Sequence, residues 1–199
     1  MTTVNLSGGS QVLGSINPNV NMQAVDDDAR AARVVAEALA VTPSSTFASL
    51  GNGASLTGTG GTRVIDVTGD VGLSGGGAIT FNGTAADLFI IRIGGKMTMS
   101  GGSSIVLNGV TAGQILWDLK GTGDAVDING NSIVNGTILA IDRSIIISGG
   151  VVNGQLISNG NELKLQSGPD VVYVPLVPEP GALSLLALGL CGLALARRP

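Results

Sequence analysis

Leu88-Phe89-Ile90-Ile91-Arg92-Ile93-Gly94-Gly95-Lys96-Met97-Thr98-Met99-Ser100-Gly101-Gly102-Ser103-Ser104-Ile105-Val106-Leu107-Asn108-Gly109 decides how the chain folds. Three short aliphatic runs are separated by Gly-Gly pairs and closed by Asn-Gly. The runs are β-branched or unbranched aliphatics that suit strands. Gly and Asn tolerate positive φ, so each pair is a turn with a mechanism. Outward from this stretch the pattern continues, with Asn-Gly also at 82, 129, 135, 153 and 159 and Gly-Gly at 149. Between the turns sit Val64–Val67, Ala78–Phe81, Gln114–Leu119, Ile133–Val134, Thr137–Ile141, Ser144–Ile147, Gln155–Ile157 and Glu162–Leu165.

Many short strands with regular turns suit an antiparallel sandwich, a barrel or a β-solenoid. Composition decides. Gly supplies 32 of 199 residues, while the aromatics number five: Phe47, Phe81, Phe89, Trp117 and Tyr173. Sandwich cores generally bury aromatics. Asn and Gly corners around uniform Val, Ile and Leu suit a stack of similar cross-sections, each coil giving two or three strands. The fold class is therefore mostly β, an irregular parallel β-solenoid (β-helix) over residues 50–174. Ile91, Ile93, Leu107, Leu116, Leu139, Ile146 and Leu156 are expected to point inward and stack between coils. Trp117 has the opposite parity to Leu116 and is expected on the outer wall or under a helix.

That helix is read at residues 24–41. Val25, Ala29, Ala32, Ala36 and Leu39 fall on one face at 3.6 periodicity. Asp26, Asp27 and Asp28 suit the positive end of its dipole, and Pro43 follows its end. Its small face is expected to lie along one side of the solenoid. Residues 1–23 are read as an N-terminal cap or first coil.

Residues 175–181 read as a linker carrying Val177-Pro178-Glu179-Pro180, and 182–199 as an apolar helix closed by Arg197-Arg198-Pro199. Such a run spans roughly 22–24 Å, short of the about 30 Å hydrocarbon core. A short apolar segment with basic flanks resembles a processed signal. Val177 to Arg198 resembles the PEP-CTERM sorting signal of Gram-negative bacteria. The resemblance implies export, tethering at the inner membrane by a transmembrane helix, an exosortase-like processing enzyme as partner, and release to the cell surface or exopolysaccharide. Arg197 and Arg198 are then the membrane-flanking basic residues. Met1 to Ser7 has neither a basic stretch nor an apolar run, so a secretory leader is expected upstream of Met1. Cys191 lies within the apolar run and has no partner for a disulfide.

Ala85 to Gly109, followed by Gln114-Ile115-Leu116-Trp117-Asp118-Leu119, Asn135 to Ala140 and Val152 to Ile157, resembles the bacterial and fungal ice-binding β-solenoid family over about residues 24–168. Exported choice-of-anchor A domains carry similar segments. Members of the ice-binding family present rows of Thr, Ser and Ala on a flat face. Thr57, Thr59, Thr80 and Thr98 are the candidate ice- or water-facing residues, scattered about one per strand. Asp66, Arg92, Asp118, Lys120, Asp142 and Arg143 are expected to disturb a lattice-matched surface. Ordinary strand propensity also accounts for the threonines.

Other chemistries find little support. Fourteen Asp and Glu against ten Lys and Arg, with few stacking rings, argue against nucleic acid. Without His there is no Ser-His-Asp site. Asp66 with Asp70, and Asp124 with Asp127, are acid pairs to weigh for a polysaccharide-acting enzyme, which wants carboxylates facing across a cleft. Asp127-Ile128-Asn129-Gly130-Asn131 is oxygen-rich but lacks the sixth-position glycine and distal Glu of a calcium loop. The reading is a non-catalytic exported surface or matrix protein needing no cofactor or metal. Ice binding is the first alternative and a polysaccharide-acting enzyme the second; extracellular polysaccharide or ice is the possible ligand.

Overall fold

A computed structural model describes residues 22–159 and 162–176. Helix α1 (Met22–Ala38) comes first. The chain then winds through six coils of three strands each. These are β1 (Thr46–Phe47), β2 (Leu50–Gly51) and β3 (Ser55–Thr57); β4 (Thr62–Val67), β5 (Val71–Leu73) and β6 (Ala78–Asn82); β7 (Leu88–Ile93), β8 (Met97–Met99) and β9 (Ser104–Asn108). Then follow β10 (Ile115–Leu119), β11 (Val126–Asn129) and β12 (Ile133–Asn135); β13 (Thr137–Leu139), β14 (Ile145–Ser148) and β15 (Val151–Gly154); β16 (Leu156–Ile157), β17 (Leu163–Gln166) and β18 (Asp170–Tyr173). Every third strand stacks in parallel. Sheet I is β1-β4-β7-β10-β13-β16, sheet II the second strand of each coil, and sheet III the third. This is a three-sided parallel β-solenoid.

The corners show why glycine is needed. Gly76 donates its N–H to Gly101 O, and Gly102 to Gly130 O. Gly101 and Gly130 have φ of +63° each. A Cβ on Gly101 would come within 2.9 Å of Gly75 N, and one on Gly130 within 2.7 Å of Gly101 N. Stacked coils thus exclude side chains where the backbone turns over itself.

Alternation along the strands fills the interior. Ile65, Ile91, Trp117, Ile138 and Leu156 align coil on coil in sheet I. Leu73, Met99, Ile128, Ile147 and Leu165 do so in sheet II. Ile91 and Ile93 lie in this core, with Leu107 and Leu156 packed against it.

Four inward or outward expectations are corrected. Trp117 is fully buried inside, edge-on to Phe81 with ring centroids 5.6 Å apart, and Phe81 meets Phe89 at 5.0 Å. Its Nε1 donates to Asn135 O at 3.0 Å. A Cβ at Gly136 would lie 2.8 Å from that nitrogen, so a glycine on the next coil admits the indole. Leu116 and Leu139, of opposite parity, pack beneath α1 with Ala36, Leu88, Ile90 and Ile141. Ile146 points out of sheet II between buried Ile145 and Ile147. In each case a doubly apolar strand hides which parity is inward.

The helix also differs from the expected one. Asp26 is its fifth residue, and its first turn carries no acid, so Asp26, Asp27 and Asp28 do not cap it. The turned-in residues are Asp26, Ala29, Arg33 and Ala36, while Ala32 is exposed. Val34 and Val35 are 66% and 64% exposed, so the helix buries charge and shows valine to solvent.

Candidate functional site

Sheet I directs two rows at α1. One is apolar: Val64, Ile90, Leu116, then Thr137. The other is charged at one end: Asp66, Arg92, Asp118, Leu139, Ile157. Arg92 donates to Asp66 at 3.1 Å and to the helix-end carbonyls of Glu37 and Leu39 at 2.8 and 3.0 Å. Lys120 donates to the same Asp66 oxygen at 2.7 Å. Burial alone would raise the Asp66 carboxyl, but Lys120 and Arg92 more than offset it and hold it low. Arg30 bridges Asp26 and Asp142, and hydrogen bonding to Arg30 holds Asp142 low. Asp118 is fully buried, and burial pushes it up to about 6.

Arg143 is buried at the corner after β13 and donates to the backbone carbonyls of Gly94, Gly95, Gly121 and Lys120. The charges expected to spoil a flat binding face are thus held elsewhere. Asp66, Arg92, Asp118 and Lys120 belong to the helix-covered side, and Asp142 and Arg143 to its corner. The linear sequence does not show which side α1 covers.

Among the described residues, sheet III carries no Asp, Glu, Lys or Arg on the strands of its first five coils, and β18 carries Asp170 and the exposed Tyr173. Its outward rows read Ser55, Thr80, Val106; then Ala78, Ser104, Ile133, Val151, Asp170; then Thr57, Asn82, Asn108. Asn108 Nδ2 donates to Asn82 Oδ1 at 3.0 Å, and Asn153 Nδ2 to Asn135 Oδ1 at 2.9 Å. These amide ladders fix the side chains against rotation. Rows repeat about 4.8 Å apart across coils and roughly 6.7 Å along a strand. Sheet II is interrupted by Asp127 and Lys164.

Thr57 and Thr80 stand on sheet III in neighbouring rows. Thr59 lies exposed in the turn after β3, and Thr98 on sheet II between Gly72 and Asp127. The structure therefore brings two of the four to one face. Val177, Pro178, Glu179, Pro180, Arg197 and Arg198 lie outside the described residues. Among those described, no helix is long and apolar enough to cross a membrane.

The acid pairs do not face each other across a cleft. Asp66 is engaged by Arg92 and Lys120, and Asp70 accepts from Lys96 N at 3.0 Å. Asp127 accepts from Asn129 on its own strand. No group of three His, Cys, Asp or Glu among the described residues could hold a metal. The sequence reading missed Asp87 and Gln114. Asp87 is buried and accepts from Gly60 N, Thr84 N and Thr84 Oγ1 at 2.7, 2.8 and 2.9 Å. Gln114 ties Thr111 to Thr84. Both staple corners; the Thr84-x-x-Asp87 spacing ahead of β7 was the available signal.

The chain is thus a three-sided solenoid with one side under a helix and another presenting uncharged rows. Residues 1–168 match the model of the ice-binding-like adhesive domain family, and the chain belongs to that family. Solved structures share the fold. An ice-binding protein from an Antarctic Flavobacteriaceae bacterium is 23% identical, covering 78% of this chain and 35% of that one, at a TM-score of 0.64. One from an Antarctic biological consortium is 19% identical, covering 77% and 68%, at 0.61. A glycosylated ice-binding protein from an Arctic yeast is 23% identical, covering 80% and 64%, at 0.62. The chain thus spans about a third of the Flavobacteriaceae protein's length. No curated protein matches it significantly.

Proposed function

We propose that this chain is a non-catalytic adhesive domain that binds ice through sheet III. The observation that carries the reading is the uncharged face of Ser55, Thr80, Ser104, Asn82 and Asn108, with Ser55, Asn82 and Asn108 hydrogen-bonded across coils, beside a face whose charges are sequestered. Regularly spaced hydroxyls, methyls and amides hold water in register without ionic hydration shells. Membership of the ice-binding-like adhesive family supports it. The test is ice-recrystallisation inhibition and thermal hysteresis by the full chain, with T80K and S104K beside it. Activity in the wild type that is lost in both variants with the fold intact supports the reading; an inactive wild type, or unaffected variants, overturns it.

We infer a place of action from the sequence of the terminal segment. The Val177–Pro180 motif, the apolar run and Arg197-Arg198 support export, tethering and processing by an exosortase-like enzyme, which would display the solenoid at the cell surface or in the polysaccharide around it. Replacing Pro178-Glu179-Pro180 by alanines in the native host should leave the protein unprocessed at the inner membrane. Unchanged processing and release would refute this route.

A further inference from the structure

The seam between α1 and sheet I holds an unequal set of charges. Four cations, Arg30, Arg33, Arg92 and Lys120, are paired with five carboxylates, Asp26, Glu37, Asp66, Asp118 and Asp142. Arg30 serves Asp26 and Asp142; Arg92 and Lys120 both serve Asp66. Arg33 is the cation nearest Asp118, its Nε 3.9 Å from Oδ1. That Nε donates to Glu37 at 3.0 Å, and Nη1 to Ile141 O at 3.2 Å. Arg143, close by, spends its donors on carbonyls. Asp118 is left fully buried, with neither oxygen accepting a hydrogen bond. A bare carboxylate in such a seam is costly, and a proton removes that cost.

We propose that docking of α1 on sheet I is proton-linked through Asp118, which binds a proton when the helix closes over it, so that α1 is a latch that tightens at mildly acidic pH. Burial pushes this carboxyl up to about 6 from an ordinary 3.8, with Arg33 opposing only in part. An acid raised in the closed form stabilises that form fully below the ordinary value, and the gain is lost as pH rises through about 6. Asp66 and Asp142 are held low and stay ionised across that window. Arg92 grips the helix end through Glu37 O and Leu39 O whatever the state of Asp118, so the loosening is local to the Arg30–Arg33 stretch. Opening there uncovers Leu116, Leu139 and Ile141, an apolar surface distinct from sheet III.

Amide hydrogen exchange on the full chain at pH 5 and 7.5, corrected for intrinsic rates, tests this. Protection of α1 peptides should fall by about 10-fold at the higher pH, since part of a roughly two-unit shift is already spent below pH 5, while β7 and β10 hold theirs. In D118N the helix should be protected equally at both values. Equal protection in the wild type, or an unchanged drop in D118N, would overturn the proposal. Carbon NMR titration of the Asp118 carboxyl in the wild type serves if the variant does not fold: a midpoint above about 5 supports it, and one near the ordinary value refutes it.

Discussion

Sheets I and III share one winding path, one parallel pairing scheme and one alternation, yet their outer sides have opposite chemistry. Sheet I turns Asp66, Arg92 and Asp118 outward and is roofed by α1. Sheet III turns Ser, Thr, Val, Ile and Asn outward, and no described helix lies over it. The usual expectation that charge marks the solvated side is inverted. Here charge marks the covered side, because the helix-end carbonyls and the helix's own Arg30 and Arg33 supply partners that bind those groups in place. Among the described residues the other side carries no such roof, and its first five strands hold no Asp, Glu, Lys or Arg. An outward row is therefore to be judged by what lies over it.

The comparison breaks most severely at what the sheets share. Trp117 belongs to the core behind both, packed on Phe81 of sheet III from a strand of sheet I. W117A should cost about 3–5 kcal/mol, read as the shift of a urea midpoint. Next comes the roof. Leu139 is 2% exposed, but its cover is a helix able to settle, so L139A should cost ~2 kcal/mol, at the low end for a buried leucine. A larger loss for L139A than for W117A would mean that the seam, not the interior, carries the fold.

The stacking of strands was legible in the sequence because Gly and Asn corners and aliphatic runs admit few other solutions. Which parity pointed in was harder to read. Ile115-Leu116-Trp117-Asp118-Leu119 is buried on both sides, so apolar character alone cannot choose between Leu116 and Trp117. Asp118 held the available clue, since Leu116 shares its parity and a carboxylate does not enter an aliphatic interior. Ser144 and Ser148 flank Ile146 in the same way and mark it as outward. The helix face differs from the apolar periodicity for a related reason: Arg33 turns inward because Asp118 and the Ile141 carbonyl lie beneath it. The candidate face itself could not be assembled from the sequence, because irregular coil lengths scatter Thr57, Thr80 and Thr98 over two sheets.

A smaller effect tests how corners hold the sheets apart. Burial alone would raise the Asp87 carboxyl, but hydrogen bonds from Gly60, Thr84 and Thr59 more than offset it and hold it low. Its contribution is present above the ordinary carboxylate value and lost as pH falls through its depressed one. D87A strands these donors and should cost about 1–3 kcal/mol at neutral pH, with the deficit shrinking in acid. Asp118 works in the opposite sense, so wild-type thermal midpoints should peak at about pH 4 and decline on both sides.

The smallest expected change in stability separates the two uncovered sheets. Thr98 and Thr80 are both half-buried threonines projecting from the middle of a three-coil stack, Thr98 between Gly72 and Asp127, Thr80 between Ser55 and Val106. Neither contributes to the core, so T98A and T80A should each cost well under ~1 kcal/mol in a urea melt. Their surroundings differ in charge: Thr98 has a carboxylate for its neighbour, whose tightly held hydration breaks any ordered water layer, whereas Thr80 lies within an uncharged row. T80A should therefore weaken ice-recrystallisation inhibition measurably, and T98A should leave it at the wild-type level. Equal losses would mean that sheet II shares the binding surface despite Asp127 and Lys164, and a loss confined to T98A would move the site off sheet III altogether.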